Sequence, residues 1–298
     1  MKKLLTLAAT AALLIGASQT FAQTLDGPVP AGAPGKWTLG AGYQYSNVNY
    51  EPIDLLNVTT DPTKAVYGVN QFIGDPIEIR QNRLFVKATY TFGKSWDMGI
   101  HIGLGDGNSG SGLQRTYSAF GSVAKFNASY TGFAGLSFHG AFYHGEKFSF
   151  GVVGTGSIFT DMDQDQHYTV SAYVFDPTSN SVQLATGEGV STTRITGFRD
   201  GQVALAMGFK AGNSLVYGGP LYYRSSGRVL IDESASVTDP DGNVSTLSVP
   251  TARAHIRAHD NAGGYLGIRM PAHSDWMFNM EAAYRGGINL GINFTRAF

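Results

Sequence analysis

The sequence contains no cysteine, so disulfide, thiol and zinc–thiolate chemistry are excluded and nothing staples the fold covalently. Charge is scarce as well: 14% of the 298 residues are Asp, Glu, Lys or Arg, against ~25% in an ordinary soluble chain. No basic run exceeds two residues and the formal net charge is −1, which argues against nucleic acid as a partner. Long apolar stretches are missing too. Beyond residue 22 no run of eighteen apolar residues occurs, so no transmembrane helix is expected there. Neither a repeat of about 20–50 residues nor a low-complexity tract is present. What the chain has in excess is glycine, 39 residues, about 13% against a usual ~7%. Mean hydropathy is −0.08. Strands that alternate apolar and polar residues average to such a near-neutral value.

Both ends carry signals. Met1-Lys2-Lys3 is a basic start, Leu4 to Ile15 an apolar stretch, and Thr20-Phe21-Ala22 a small-residue cleavage site before Gln23. That pattern reads as a secretory signal peptide over 1–22, too short to span a bilayer. Removing Lys2 and Lys3 with it takes the formal charge from −1 to −3. Residues 23–35, rich in Pro, Gly and Ala, read as a short periplasmic lead-in. Residues 36–298 form one folded unit of a single closed sheet.

The chain ends GINLGINFTRAF, with Ile288, Leu290, Ile292 and Phe294 alternating with Asn289, Gly291, Asn293 and Thr295. A period of two with one apolar face is a strand signal. A strand at the end of the chain best hides its edge by pairing with an early one. The alternation ending on Phe298 resembles the C-terminal signature of Gram-negative outer-membrane β-barrels. Arg296 breaks the apolar parity near the end, where a long side chain can snorkel to the interface. The resemblance implies an all-β, antiparallel transmembrane barrel in the outer membrane of a Gram-negative bacterium. It also implies recognition of the Phe298 strand by the barrel assembly machinery, and contact with outer-membrane lipid and lipopolysaccharide.

About ten strands follow from the alternation, beginning near Lys36, Leu84, Trp96, Ala134, Phe148, Val203, Leu215, Leu266, Trp276 and Ile288. Eight or twelve result if an excursion is counted differently. Short turns at Gly93-Lys94-Ser95, His144-Gly145-Glu146, Gly212-Asn213-Ser214 and Pro271 to Asp275 alternate with long connections, as periplasmic turns alternate with extracellular loops. Two excursions hold hairpins, around Asp176 to Asn180 and Asp239 to Asn243. Trp37, Trp96 and Trp276 fall at the first outward position of their strands; with Phe92, Phe148 and Phe298 they make an interfacial girdle. The seventh strand points Leu215, Tyr217, Leu221 and Tyr223 outward, and its Pro220 requires a bulge.

The opposite parity lines the lumen. It carries Lys87, His101, His139, Arg224, Arg269, Glu281 and Arg285, together with glycines at 99, 103, 135, 151, 208, 267 and 291 that thin the interior. Away from the periplasmic rim the count is four cations against Glu281, with Arg269 and Glu281 placed to form an ion pair. Eight strands are just filled by side chains and sixteen leave an aqueous pore. Ten therefore give either a narrow porin-like channel for small solutes or a plugged structural barrel. No cofactor and no metal site are implied. Asp161, Asp163 and Asp165 begin like a calcium loop, but Gln166 stands where Gly is needed and Ala172 where Glu is needed. They are otherwise a solvated acidic rim or a divalent-cation bridge to lipopolysaccharide. Asp165 and His167 are similar to the Asp-x-His half of the omptin protease site, where a carboxylate orients an imidazole that acts on water. On that resemblance they are the catalytic candidates of an omptin-like outer-membrane protease. Surface adhesion through the two hairpins is the remaining alternative.

Overall fold

The computed structural model describes residues 25–30, 32–51, 54–58, 69–73, 77–109, 113–116, 121–124, 126–176, 181–238, 242, 244–273 and 275–298. The expected signal peptide and Gln23 lie outside them, as do most residues of the two hairpin tips. In chain order the strands are β1 (Trp37–Tyr50), β2 (Asp54–Val58), β3 (Val69–Ile73), β4 (Ile77–Phe92), β5 (Trp96–Ser109), β6 (Leu113–Thr116), β7 (Gly121–Ala124) and β8 (Asn127–His144). They continue with β9 (Phe148–Phe159), β10 (Met162–Asp176), β11 (Ser181–Ala211), β12 (Ser214–Thr238), β13 (Val244–Arg257), β14 (Ala262–His273), β15 (Trp276–Tyr284) and β16 (Ile288–Ala297).

Ten of these strands close a ring in the order β11-β9-β8-β5-β4-β1-β16-β15-β14-β12, and β12 pairs back onto β11. Every neighbouring pair is antiparallel. The last strand meets the first over Thr38↔Ala297 to Ser46↔Asn289. Closure leaves the wall no open edge, which is what a sheet surrounded by lipid requires. The two short pairs β2–β3 and β6–β7 are separate ribbons in the connections.

The wall is apolar outside and polar inside. Leu84, Val86, Met98, Ile100, Ile102, Leu136 and Leu266 are each more than half exposed. Gln44, Ser46, Thr89, Ser137 and Ser157 are buried. An exposed apolar belt of this extent marks a membrane surface. Trp37, Trp96, Trp276, Phe92, Phe148 and Phe298 stand exposed at the short-turn end, and Tyr130, Tyr222 and Tyr284 toward the opposite end. Gly93 and Gly212 take positive φ (64° and 65°) in the tight turns after β4 and β11.

Several expectations need correcting. The sixth and seventh strands do not stop at the wall: β11 runs 31 residues and β12 runs 25. Their upper halves pair with β10 and β13, giving a four-stranded ribbon above the barrel. A bulge between Thr196 and Arg199, with Gly197 at φ 58°, separates ribbon from wall and breaks the alternation seen in the sequence. The faces of β12 are inverted: Leu215, Tyr217, Leu221 and Tyr223 are buried inside, while Tyr222 and Arg224 are exposed. Val216, Gly218, Pro220 and Tyr222 are uncharged as well, so both parities of β12 look outward in sequence. Pro220 sits at no bulge. The ladder to β11 skips the positions opposite Leu205 and Ala206 and resumes in the same register, while pairing of Pro220 with Gly264 continues.

A closed ladder in a micelle should resist detergent until it is heated. Unboiled and boiled samples of refolded protein are expected to migrate as two distinct bands on a denaturing gel, with far-UV dichroism of the unboiled form showing sheet. A single band, or solubility without detergent, would contradict the barrel.

Candidate functional site: the barrel interior

The residues before β1 turn into the lumen. Gly35 N–H donates to Thr91 O at 2.8 Å at the short-turn end, and Leu25 and Asp26, at 1% and 6% exposure, reach the interior. So residues 25–30 of the segment read as a lead-in lie inside the ring, while 33–35 are exposed at its short-turn rim. Asp26 takes the left-handed backbone (φ 62°), which Asp tolerates better than most residues.

One wall carboxyl and two wall cations hold this segment, with Asn279 and His139 beside them. Glu281 accepts the Leu25 N–H at 2.8 Å and the Asp26 N–H at 3.0 Å, one on each oxygen. Lys87 Nζ lies 2.7 Å from Asp26 Oδ2. Asn279 donates to Asp26 Oδ1, and Arg269 donates to the Val29 carbonyl at 2.8 Å. His139 links two carboxylates, with Nδ1 on Asp97 and Nε2 3.8 Å from Asp26. Burial opposes ionisation of the Asp26 carboxyl, but Lys87, Arg269 and His139 around it prevail and hold it below the usual carboxylate range. Tyr217 closes the layer, its hydroxyl donating to Asn279 Oδ1 at 2.5 Å and 3.3 Å from Glu281.

A second layer lies toward the long-loop end. Arg83 pairs with Asp200, donates to Gln81 at 2.7 Å and stacks on Phe159 with its guanidinium carbon 4.5 Å from the ring centre. Arg285 donates to Gln202 at 2.9 Å and lies 4.8 Å over Tyr223. Planar guanidinium groups suit such stacking, which lessens the cost of burying them. Above them the interior is apolar, with Tyr50, Phe126, Phe133, Phe159, Met162 and Phe198 all buried. Phe133 and Phe159 stack at 5.1 Å, and Phe198 meets Phe159 at 5.3 Å.

Lys87, His101, His139, Arg269, Glu281 and Arg285 are thus brought into the interior, all at most 9% exposed. Arg224 is not; it is exposed on the outer face of β12. Arg269 and Glu281 form no ion pair, because the lead-in stands between them and binds each separately. The lumen is not basic. Among the described residues its buried cations are Arg83, Lys87, Arg269 and Arg285, matched by Asp26, Asp97, Asp200 and Glu281. Arg83, Asp97 and Asp200 lie on inward parities already assigned, the first and last just beyond the strand ends read from sequence. One further step of alternation would have found them. The inward glycines do not open a pore either. A Cβ at Gly135 would collide with His101, at Gly103 with Phe133 and at Gly267 with Tyr217. A void lined by Gln44, Phe85, Lys87 and His101 measures only about 10 Å³, room for one water at most.

Asp165 and His167 stand exposed together on one face of β10, in the ribbon and not across the mouth. The Asp165 carboxylate accepts a hydrogen bond from the Thr192 hydroxyl at 2.7 Å. No cluster of three or more metal-ligating side chains occurs among the described residues.

No family model matches the chain, and no curated protein does. Similar solved structures include the outer membrane protease OmpT from Escherichia coli (9% identity, 89% of this chain and 95% of that chain covered, TM-score 0.36). Others are the P. putida toluene transporter TodX (9%, 89% and 91%, 0.27) and the outer membrane protein OprG from Pseudomonas aeruginosa (10%, 89% and 98%, 0.31). The chain resembles Gram-negative outer-membrane β-barrels as a class. Identities this low bear on the fold alone.

Removing one partner of a buried ion pair strands the other, at a cost of about 3–5 kcal/mol. Arg83→Ala is therefore expected to lower the urea midpoint for loss of the fast-migrating folded band by that equivalent. Arg269→Gln, which loses a bond to a carbonyl, should cost about 1–3 kcal/mol.

Proposed function

We propose that the protein is a porin-like barrel of the Gram-negative outer membrane that is held shut at rest by its own N-terminal segment. The observation that carries this reading is the seating of Leu25 to Val29 inside the ring through Glu281, Lys87 and Arg269. The polar contacts of that seat are hydrogen bonds and an ion pair, beside apolar packing of Leu25 and Val29 against the core. Water can replace such bonds at modest net cost when the segment leaves. The space vacated would be lined by Lys87, His139, Asn279, Glu281 and Asn293, a polar surface fit for small hydrophilic solutes. Asp26 leaves with the segment, so the wall keeps Arg83, Lys87, Arg269 and Arg285 against Asp97, Asp200 and Glu281, and fixed charge gives only a mild preference for anions. The aromatic layer toward the loops forms a second constriction, so passage is narrow even then.

A structural barrel is the competing reading, favoured by the near-complete filling of the interior. The four-stranded ribbon gives surface binding a specific support as well, since it presents an extended sheet beyond the membrane.

Planar-bilayer recording separates these possibilities. Wild-type protein is expected to be silent or to open rarely, and a variant lacking residues 25–34 to open frequently with small conductance and weak ion selectivity. Steady ohmic conductance by wild type would refute closure at rest. Silence of the correctly folded deletion variant would assign the protein to the structural class.

A further inference from the structure

The outer surface of the wall has a recess that the interior does not explain. Gly156 on β9 and Gly201 on β11 are cross-strand partners on the lipid-facing parity, so backbone is bare there. Leu136, Phe138, Ile158, Val203 and Tyr222 stand around them, and together they bound a groove of about 1060 Å³. Ile158 is 66% exposed and Leu136 61%. A groove of this size, just above the ~300–1,000 Å³ range of ligand pockets, is ample for a hydrocarbon chain.

The upper end of the groove is cationic. Arg199, Arg224 and Ser226 line it, and they also line an adjoining basin of about 400 Å³ that includes Arg228, His255 and Arg257. Pairing across the strands sets these side chains close together: Gly201 faces Arg224, Arg199 faces Ser226, Ser226 faces Arg257, and Arg228 faces His255. All four arginines and the histidine are exposed, and among the described residues none lies within ion-pair distance of a carboxylate. Arg199 is steadied by a 3.3 Å bond from Nε to Ser226 Oγ. Tyr222 marks the boundary between the two parts, level with the loop end of β14 through its pairing with Ala262. Apolar belt therefore gives way to unneutralised guanidinium groups at the height where a bilayer changes from hydrocarbon to headgroup.

A soluble anion needs no apolar groove, and a zwitterionic lipid needs no cluster of arginines. We propose that this face is a binding site for a phosphorylated, acylated lipid of the outer leaflet. One acyl chain lies over Gly156 and Gly201, and Arg199, Arg224, Arg228 and Arg257 hold the phosphate. Arginine suits that role, because its fork matches phosphate oxygens two at a time. No bridging divalent cation is required, in contrast to attachment through an acidic rim.

The test uses full-length processed protein refolded in detergent micelles. Diphosphorylated lipid A is the probe, and native mass spectrometry measures lipid retained. Wild type is expected to retain lipid A and not phosphatidylcholine, with inorganic phosphate failing to displace it. The triple variant Arg199→Gln, Arg224→Gln, Arg257→Gln should retain at least about tenfold less, because a single charge-assisted bond lost is already worth about a factor of ten. Gly201→Leu tests the groove separately. A Cβ there meets nothing nearer than Thr155 O at 3.8 Å, so the barrel tolerates the side chain while the acyl seat is filled, and retention should fall several-fold. Wild-type retention by either folded variant would overturn the proposal. So would displacement by inorganic phosphate alone, or equal retention of phosphatidylcholine.

Discussion

Backbone amides have no alternative partner in hydrocarbon, and that constraint determines most of this molecule. A sheet in lipid must leave no N–H or C=O unpaired, so β16 has to find β1 across the whole length of the chain. Once ten strands close, the enclosed space is fixed: too wide for two opposing rows of small side chains, too narrow for a broad aqueous channel. What fills it decides what the barrel can do. Large side chains seated against inward glycines occupy part of the space, and the chain's own leading segment occupies much of the rest.

Electrostatics governs how that filling is arranged. Buried charge is tolerated when it is paired or hydrogen-bonded, and the interior holds formally balanced groups in two storeys. Arg83 and Lys87 are in ion pairs, and Arg269, Arg285 and Glu281 are on hydrogen bonds. The lower storey is heterogeneous, joining wall residues to the incoming segment through Glu281, Lys87 and Asp26. The upper one is entirely wall-borne, with Arg83 and Arg285 spread over aromatic rings. Only the lower storey contains a partner that can leave without tearing the ladder. On the proposed reading, that asymmetry makes the segment, rather than the wall, the part that moves.

Much of the wall was legible in the sequence because one parity of β1, β5, β15 and β16 is apolar and the other is not. Strand count, closure of the last strand on the first and the tryptophan girdle follow from that alternation alone. It failed on β12, where Tyr217 and Tyr223 look like lipid-facing residues but use an apolar ring and a polar hydroxyl inside the lumen. Arg224 was misplaced by the same inversion. The lead-in was illegible for a different reason. Pro, Gly and Ala without a period announce a loop, and nothing local says that Asp26 will meet Lys87, 61 positions away, or Glu281, 255 positions away. The Asp165–His167 spacing was visible, but only β10's place in the ribbon shows which way the pair faces.

The separation of 256 residues between Leu25 and Glu281 bears on how the molecule is put together. Contacts so distant in sequence carry the largest loop-closure cost and form late. Glu281 comes into position only after β15 is in register with β14 and β16, and Lys87 only after β4 is in register with β1. A slip of one residue in either ladder turns its carboxyl or ammonium group to the lipid side. The leading segment would then have no seat. Docking of the leading segment therefore requires a ring closed in the correct register.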